Sequence, residues 1–324
     1  MKTTRALLIT TFCLLYGCSI NAPKTKDDRI SLIDSLTIQK FHIDKLPEIN
    51  NTKYFFLNKE KQQVIIRDTL SRQIQVCNFS HILSHILNLV LINDSIIFID
   101  GIPNTIFFNL KNGDKKILFK NMDMTSNPIL NNGNIYIAGI DLSIDTPLFT
   151  LNILDYSDNH LLPFSICDIE PKAKIEDLFL TGHLIKTQNR LAFIYDWLGE
   201  YYLINKHDEQ ILKNGFLPLM GNSKKFENNE YSPPYYQAYS TSVYKDSLIF
   251  ILREVDFESV NPDSPHEKTV LSTLRKRIHI FNEDMELTDS FLLQKKATQI
   301  KIVGNKMYTL HHKDNIIYIY EINL

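Results

Sequence analysis

The 324-residue sequence contains few of the residue patterns from which catalytic and metal sites are usually recognised. It has four cysteines, ten histidines and one tryptophan. None of these forms a C-x-x-C pair or a cysteine–histidine cluster. There is also no G-x-S-x-G turn, no Walker loop, no H-E-x-x-H helix and no glycine-rich nucleotide fingerprint. We therefore predict no catalytic residue, no metal ligand and no cofactor.

Charge bias is absent as well. The 35 lysines and arginines nearly balance the 37 aspartates and glutamates, which leaves a formal net charge of −2. No overall field draws the protein to nucleic acid, so we predict no nucleic-acid partner. Hydrophobic residues make up 44% of the chain, which is enough to bury a core. We expect a monomer.

The apolar run near the N-terminus is too short to span a bilayer. Residues 6–16 follow a basic start and have the length of a signal-peptide core. The run ends in Leu15-Tyr16-Gly17-Cys18, which resembles a bacterial lipobox. The resemblance implies a signal peptide over residues 1–17, lipidation of Cys18 and a tether over residues 18–30. It further implies an outer-membrane lipoprotein of the cell envelope, facing the periplasm or the surface. An ordinary secretory signal with an incidental cysteine is the alternative.

Two cysteines remain in the mature chain. Cys77 and Cys167 each lie in or beside an apolar run. Buried free thiols are the simpler interpretation, and a disulfide is the alternative in an oxidising envelope.

One repeated unit dominates the chain. Residues 91–120 contain four short runs rich in β-branched and aromatic residues, separated by turn formers such as those at 101–104 and 111–114. Each run has the length of a strand and is too short for a stable helix. Because the connections are short, the four runs predict an antiparallel meander.

Variants of this unit recur along the chain. Equivalent points are spaced by 36 to 59 residues, and they fall at Phe55, Leu91, Ile129, Ile185, Val243 and Ile302. Four strands per repeat at this spacing predict an all-β fold, a six-bladed β-propeller over residues 31–324. The sixth repeat has only three strands, so we expect an N-terminal strand at residues 36–43 to close the ring. Seven blades or two packed sandwiches are the alternatives.

Several stretches resemble the TolB-like six-bladed β-propeller lipoprotein family of Bacteroidetes. The resemblance lies in Tyr235–Ser240 and in residues 248–252, 277–282 and 317–322. It implies a propeller in the cell envelope. It implies no reaction, because a fold does not determine a function.

The best candidate for a binding surface is the polar, then aromatic segment 221–239. It carries Tyr231, Tyr235, Tyr236 and Tyr239, and exposed tyrosines beside prolines are typical of recognition surfaces. Trp197, in a turn between two strands, is a further candidate. The alternative is that these aromatic residues only cover the propeller. The acidic insertion at residues 253–276 lacks a calcium-loop pattern and is interpreted as a solvated hairpin.

Besides a purely structural role in an envelope complex, two functions remain open at this point. The first is a membrane-anchored binding module for an envelope protein, a peptide or a glycan. The second is a propeller hydrolase or lyase, lactonase-like and calcium-dependent, acting at the central channel. A ring of convergent carboxylates would favour the second, and the sequence does not reveal one. The sequence favours the binding module.

Overall fold

A computed structural model describes residues 29–38, 42–43, 45–50, 52–93, 96–102, 104–120, 129–131, 134–141, 148–155, 161–164, 182–195, 200–207, 210–218, 240–253 and 275–324. Within these ranges the regular structure is entirely β. No helix there is long and apolar enough to cross a membrane.

The strands form six four-stranded sheets within the described ranges, and every pairing is antiparallel. β1 (Ile30–Thr37) comes first and belongs to the last sheet. Sheet I comprises β2 (Glu48–Asn50), β3 (Lys53–Asn58), β4 (Gln63–Asp68) and β5 (Ile74–Asn78). Sheet II comprises β6 (His85–Asn93), β7 (Ile96–Ile102), β8 (Asn104–Asn109) and β9 (Lys115–Lys120).

The remaining four sheets follow in chain order. Sheet III comprises β10 (Ile129–Asn131), β11 (Asn134–Asp141), β12 (Leu148–Asp155) and β13 (Leu161–Phe164). Sheet IV comprises β14 (Gly182–Lys186), β15 (Arg190–Tyr195), β16 (Glu200–Asn205) and β17 (Ile211–Phe216). Sheet V comprises β18 (Ser240–Tyr244), β19 (Leu248–Arg253), β20 (Arg275–Phe281) and β21 (Leu287–Ala297). Sheet VI comprises β22 (Gln299–Val303), β23 (Lys306–His311), β24 (Ile316–Ile322) and β1.

The middle strands are buried on both sides. β15 and β19 each bury five consecutive residues. A strand buried on only one face would alternate apolar and polar residues, whereas these strands are nearly continuous apolar runs. The outer strands β5 and β17 are mostly exposed. Each middle strand is therefore sandwiched between two neighbouring sheets, as in the blades of a propeller.

Neighbouring sheets share apolar cores. Cores join sheets I and II, III and IV, IV and V, V and VI, and VI and I. Their large fully buried side chains include Phe55, Phe79, Phe193, Phe250, Phe281 and Tyr320. The core between sheets VI and I joins the end of the chain to its beginning. The prediction of an all-β propeller with four-stranded antiparallel blades is confirmed.

An N-terminal strand does complete the last sheet, but its predicted position was wrong. The strand runs over Ile30–Thr37 rather than residues 36–43, and Ile30 pairs with Ile322. The alternating segment that we expected to pair begins where β1 ends. Ile38 and Ile43 instead donate backbone hydrogen bonds to Asn315, to its carbonyl at 3.0 Å and its side-chain oxygen at 2.9 Å.

The first repeat was also placed one strand too late. The segment around Phe55 is the second strand of sheet I, and the first is the three-residue β2. Ile49, not Phe55, is therefore equivalent to Leu91, Ile129, Ile185, Val243 and Ile302, each of which lies in the first strand of its sheet. β2 was missed because three residues carry too little periodicity to be recognised.

Cys77 lies in β5 as a buried free thiol, as the simpler interpretation expected. Burial raises the pKa of this thiol. Cys167 and Cys18 lie outside the described residues.

Candidate functional site

The sheets have two distinct ends. At one end, short turns join the first strand of a sheet to the second, as at residues 245–247 and 304–305; we call this end the turn face. At the other end, the second strand meets the third and the chain passes to the next sheet; we call this end the loop face. In sheets IV and V the loop face is marked by Tyr195, Glu200, Pro218, Ser240 and Arg253, where described segments end or begin.

The predicted binding residues belong to connections at the loop face. Tyr231, Tyr235, Tyr236, Tyr239 and Trp197 themselves lie outside the described residues. The segment 221–239 is bounded by Pro218 and Ser240. The segment with Trp197 joins Tyr195 to Glu200, at the ends of β15 and β16. All five candidates therefore belong to segments that leave and re-enter the fold at one end of sheets IV and V.

A buried acid lies at this end of sheet IV. Glu200 is only 3% exposed, although it opens a strand of apolar and aromatic residues. The Tyr202 hydroxyl donates a hydrogen bond of 2.5 Å to its Oε1 atom. Its Oε2 atom is buried and has no hydrogen-bond partner among the described residues. A buried polar atom without a partner costs free energy, so this carboxylate calls for an explanation.

Tyrosines surround Glu200 on the side of sheet IV that packs against sheet III. Tyr195 and Tyr202 share a core with Tyr136 of sheet III, and the rings of Tyr195 and Tyr202 lie edge to face with centroids 6.2 Å apart. Burial, and then the negative charge of Glu200, raise the pKa of the Tyr195 hydroxyl. Tyr195 is therefore a neutral phenol beside a carboxylate. We call Glu200, Tyr195 and Tyr202 the acid–tyrosine cluster.

The opposite side of sheet IV faces basic residues of sheet V. Arg253 is 2% exposed, and its Nη2 donates a hydrogen bond of 3.0 Å to the Pro218 carbonyl. Arg277 lies directly across from it on β20. His279, two residues further along and fully buried, has its pKa lowered to about 4 by burial and by Arg253 and Arg277. We call these three residues the basic cluster, with His279 neutral at pH 7.

The inner strands of sheets V and VI are held together by serines. Ser240 Oγ accepts a hydrogen bond of 3.1 Å from the Ile300 amide, and Ser242 Oγ accepts one of 2.8 Å from the Ile302 amide. These amides lie on the edge of β22 that pairs with no other strand of the described residues. Hydroxyl groups thus satisfy edge groups that would otherwise be unpaired. The bonds also fix β18 and β22 side by side in the same direction.

The first and last sheets are linked near their inner strands. Lys301 of β22 forms an ion pair with Glu48 of β2. The Leu46 amide donates a hydrogen bond of 2.7 Å to the side-chain oxygen of Gln299. No group of three or more histidine, cysteine, aspartate or glutamate side chains is placed to hold a metal ion within the described part of the chain.

The turn face is held by polar contacts between turns. The backbone and side-chain nitrogens of Asn189 donate hydrogen bonds of 3.0 and 2.8 Å to the Glu283 carboxylate. Burial opposes the ionisation of Glu283, but hydrogen bonds from Thr187 and Asn189 outweigh it and lower its pKa. Arg190 lies 3.6 Å from Asp284 in an ion pair. These contacts connect sheet IV to sheet V and leave their carboxylates partnered.

Sequence reasoning missed both loop-face clusters. Glu200 and Arg253 each sit at the end of a strongly apolar strand, and His279 lies between two buried isoleucines. A charged or titratable residue inside such a run is unusual, because burying it is costly. A charged residue in an apolar strand could therefore have been singled out from the sequence as a candidate site residue. The sequence does not show, however, which of these residues lie on the same side of a sheet.

No protein-family model matches the chain, and no curated protein matches its sequence. Solved structures of similar fold do exist. A Bacteroides thetaiotaomicron protein of unknown function has 8% identity and a TM-score of 0.54, over 91% of this chain and 76% of that one. The luciferin-regenerating enzyme has 10% identity and a TM-score of 0.53, over 90% and 95%. The WD40 domain of Neurospora crassa Pan2 has 7% identity and a TM-score of 0.52, over 92% and 97%.

These likenesses concern the fold alone, because the identities are very low. WD40 repeats build β-propellers, and the enzyme in the same group illustrates that this fold hosts more than one kind of function. The chain is thus a β-propeller of four-stranded antiparallel blades.

Proposed function

We propose that the protein is a lipid-anchored propeller of the cell envelope that binds a protein, peptide or glycan partner through its loop face, without catalysis. In this proposal Cys18 carries the lipid, the six sheets are the six blades of one ring, and the protein is a monomer in the outer membrane. The resemblance to TolB-like lipoproteins of Bacteroidetes supports the same assignment.

One observation carries the proposal: the described chain starts at the face opposite the long connections. The Asn323 amide donates a hydrogen bond of 2.8 Å to the Arg29 carbonyl, and Lys245 Nζ donates one of 3.2 Å to the Leu324 carbonyl. Arg29 therefore lies at the turn face. A tether that precedes Arg29 leaves from this face, and the loop face is then directed away from the anchor.

The loop face also has the composition of a binding surface. It receives the connections that contain Tyr231, Tyr235, Tyr236, Tyr239 and Trp197. Aromatic side chains dominate the energetics of many recognition surfaces because they bury large areas at low entropic cost. Two buried charged residues, Glu200 and Arg253, lie at strand ends where connections of this face begin or end. Polar groups outside the strands can therefore also contact them.

The test is capture of a partner from the native envelope. The lipidated protein is compared with a version in which residues 221–236 are replaced by a glycine–serine linker of equal length. A second version changes only Tyr231, Tyr235 and Tyr236 to serine. We expect one or more envelope components to be recovered with the wild type and lost with both variants. Equal recovery with all three proteins would contradict binding through this segment.

The anchor has its own test. We expect Cys18→Ala to move the protein from the membrane fraction to the soluble fraction, while binding of the partner by the purified domain stays unchanged. Retention of Cys18→Ala in the membrane would contradict the lipid anchor.

A further inference from the structure

The buried carboxylate of Glu200 has only part of its hydrogen-bonding capacity occupied. Its Oε1 atom accepts the Tyr202 hydroxyl, while Oε2 is buried without a partner among the described residues. An ionised carboxylate offers about four lone-pair positions. Burying one with a single neutral donor is unfavourable unless a cation or further donors complete it.

The surroundings of Glu200 suit an organic cation. Tyr202 and Tyr195 neighbour it, and these two residues share a buried cluster with Tyr136 and Phe193. The rings of Phe193 and Tyr195 are edge to face with centroids 4.9 Å apart. Aromatic groups attract cations through their negative faces, and the attraction is stronger where water is excluded. A carboxylate among aromatic rings therefore favours a cationic group with an apolar stem.

The same geometry disfavours a metal ion. Calcium takes six to eight oxygen ligands, mostly from carboxylates, carbonyls and water. Glu200 is not part of any group of three metal-binding side chains among the described residues. One carboxylate oxygen with neighbouring phenols does not make such a shell, whereas an ammonium group needs only a few acceptors.

The geometry also distinguishes between the two kinds of protein cation. A guanidinium group binds best with both oxygens of a carboxylate in a two-pronged arrangement. Here Tyr202 already donates to Oε1, so Oε2 is the carboxylate oxygen that has no donor among the described residues. A compact ammonium group, which acts as a point charge, fits this arrangement better.

An exposed aromatic residue neighbours Glu200 at the loop face. Phe216, at the loop-face end of β17, lies directly across from Glu200 and is 53% exposed. Residues directly opposite on paired strands project from the same side of a sheet. Phe216 therefore offers a surface for the aliphatic stem of a long side chain whose charged end reaches Glu200.

We propose that Glu200 binds the ammonium group of a lysine side chain from the bound protein or peptide, at the loop-face junction of sheets III and IV. Phe216 contacts the stem of that lysine, and Tyr202 holds the carboxylate in position. This inference rests on the proposed function, since it names the chemistry of the partner. It is tested without the partner, so that the two proposals can fail separately.

The probe is butylammonium, which reproduces the end of a lysine side chain, with butanol as its neutral counterpart. Binding to the purified domain is measured by calorimetry and by the shift of the melting temperature. We expect saturable binding of butylammonium and none of butanol. Glu200→Gln should weaken butylammonium binding at least tenfold, and Phe216→Ala about threefold. Glu321→Gln, at an exposed position on β24, is the matched control and should bind like the wild type.

A second variant tests the choice between the two cations. Tyr202→Phe frees Oε1, so we expect butylguanidinium to bind relatively better than butylammonium in this variant. Circular dichroism verifies that each variant is folded. Binding that is unchanged in Glu200→Gln, or no binding by the folded wild type, would overturn the inference. In either case, partner capture through residues 221–236 would remain a separate result.

Discussion

Polar side chains differ in burial and in hydrogen-bond partners between the turn face and the loop face of this propeller. At the turn face, Glu283 is held by Asn189, Asp284 lies beside Arg190, and Lys245 reaches the Leu324 carbonyl. These groups join one sheet to the next. At the loop face, Glu200 and Arg253 are buried within otherwise apolar strands. Polar contacts join neighbouring sheets at both faces, since Arg253 also donates to the Pro218 carbonyl. Among the described residues, however, only the loop face has a buried carboxylate oxygen without a hydrogen-bond partner, that of Glu200.

The largest expected effect comes from removing β1, the strand that completes sheet VI. Deletion of residues 1–37 removes Ile30, which is 1% exposed, and uncovers Ile322. Full burial of such side chains contributes about 1.5–3 kcal/mol each, and the exposed edge of β24 invites aggregation. We expect no stable monomer, measured by size-exclusion chromatography and thermal unfolding. The control, deletion of residues 1–28, should remain a folded monomer; equal stability of the two would show that β1 is dispensable.

A smaller loss is expected where serines join sheets V and VI. Ser240→Ala leaves the buried Ile300 amide without its hydroxyl acceptor. An orphaned buried donor costs about 1–3 kcal/mol. Chemical denaturation should show this loss with an unchanged denaturant slope. Ser240→Thr, which keeps a hydroxyl, is the conservative comparison, and a loss as large as that in Ser240→Ala would contradict the role of the hydrogen bond.

His279 makes the free energy of unfolding depend on pH. Its pKa is lowered to about 4 in the fold, by burial and by Arg253 and Arg277. In the unfolded chain it ionises near pH 6.5. Between these values the unfolded state binds more protons, so stability is full above about pH 6.5 and falls as the pH drops toward 4. The slope approaches about 1.4 kcal/mol per pH unit.

This prediction is measured by urea denaturation at pH 7, 6 and 5. We expect His279→Gln to reduce the pH dependence between 7 and 5, whatever its effect at pH 7. Identical slopes in wild type and variant would mean that the pKa of His279 is the same in the folded and the unfolded chain.

The smallest expected effects on stability come from replacing one glutamate with glutamine at each face, Glu283 at the turn face and Glu200 at the loop face. Glu283→Gln weakens the hydrogen bonds from Asn189 and should destabilise by about 0.5–1 kcal/mol. Glu200→Gln removes a buried charge and should be neutral or stabilising in the absence of ligand. Thermal unfolding of the two variants side by side measures the difference. Destabilisation by both would remove the contrast between the faces.

The pH dependence of stability tests the role of the Glu283 charge. Because its pKa is lowered in the fold, its contribution is present above the pKa of the unfolded chain and is lost as pH falls through the lower folded value. The stability of wild type and Glu283→Gln should therefore converge in acid. A difference that persists well below pH 4 would indicate that the charge of Glu283 is not its cause.

Much of the fold could be predicted from the sequence because strand length and turn chemistry repeat. Sheet II was located strand by strand, since its apolar runs are separated by clear turn formers. The errors fall where local signals are weak. β2 has three residues, and the alternating segment at residues 36–43 matches a strand pattern although only its start pairs with β24. Which of two nearby segments pairs with a distant strand is decided by tertiary contacts, such as the ion pair of Arg29 with Asp289.

The candidate site was less predictable. The aromatic residues of segment 221–239 were found by composition, and the face at which the connection containing them begins and ends follows only from the strand directions of sheets IV and V. Glu200 and Arg253 lie 53 residues apart in the sequence, on opposite sides of the layer formed by sheet IV. Their shared position at one end of the molecule depends on the order and direction of the strands, which a repeat spacing does not specify.

The central claim is that partners bind at the loop face, and photo-crosslinking from two positions of one strand tests it most directly. Phe216 and Leu212 are 53% and 47% exposed and lie toward opposite ends of β17. A photoreactive phenylalanine analogue is placed at each position in turn, in the lipidated protein in intact cells. If partners bind at the loop face, we expect a crosslinked envelope component from position 216 and none from position 212. Crosslinking from position 212 alone would contradict it and place the binding surface at the turn face.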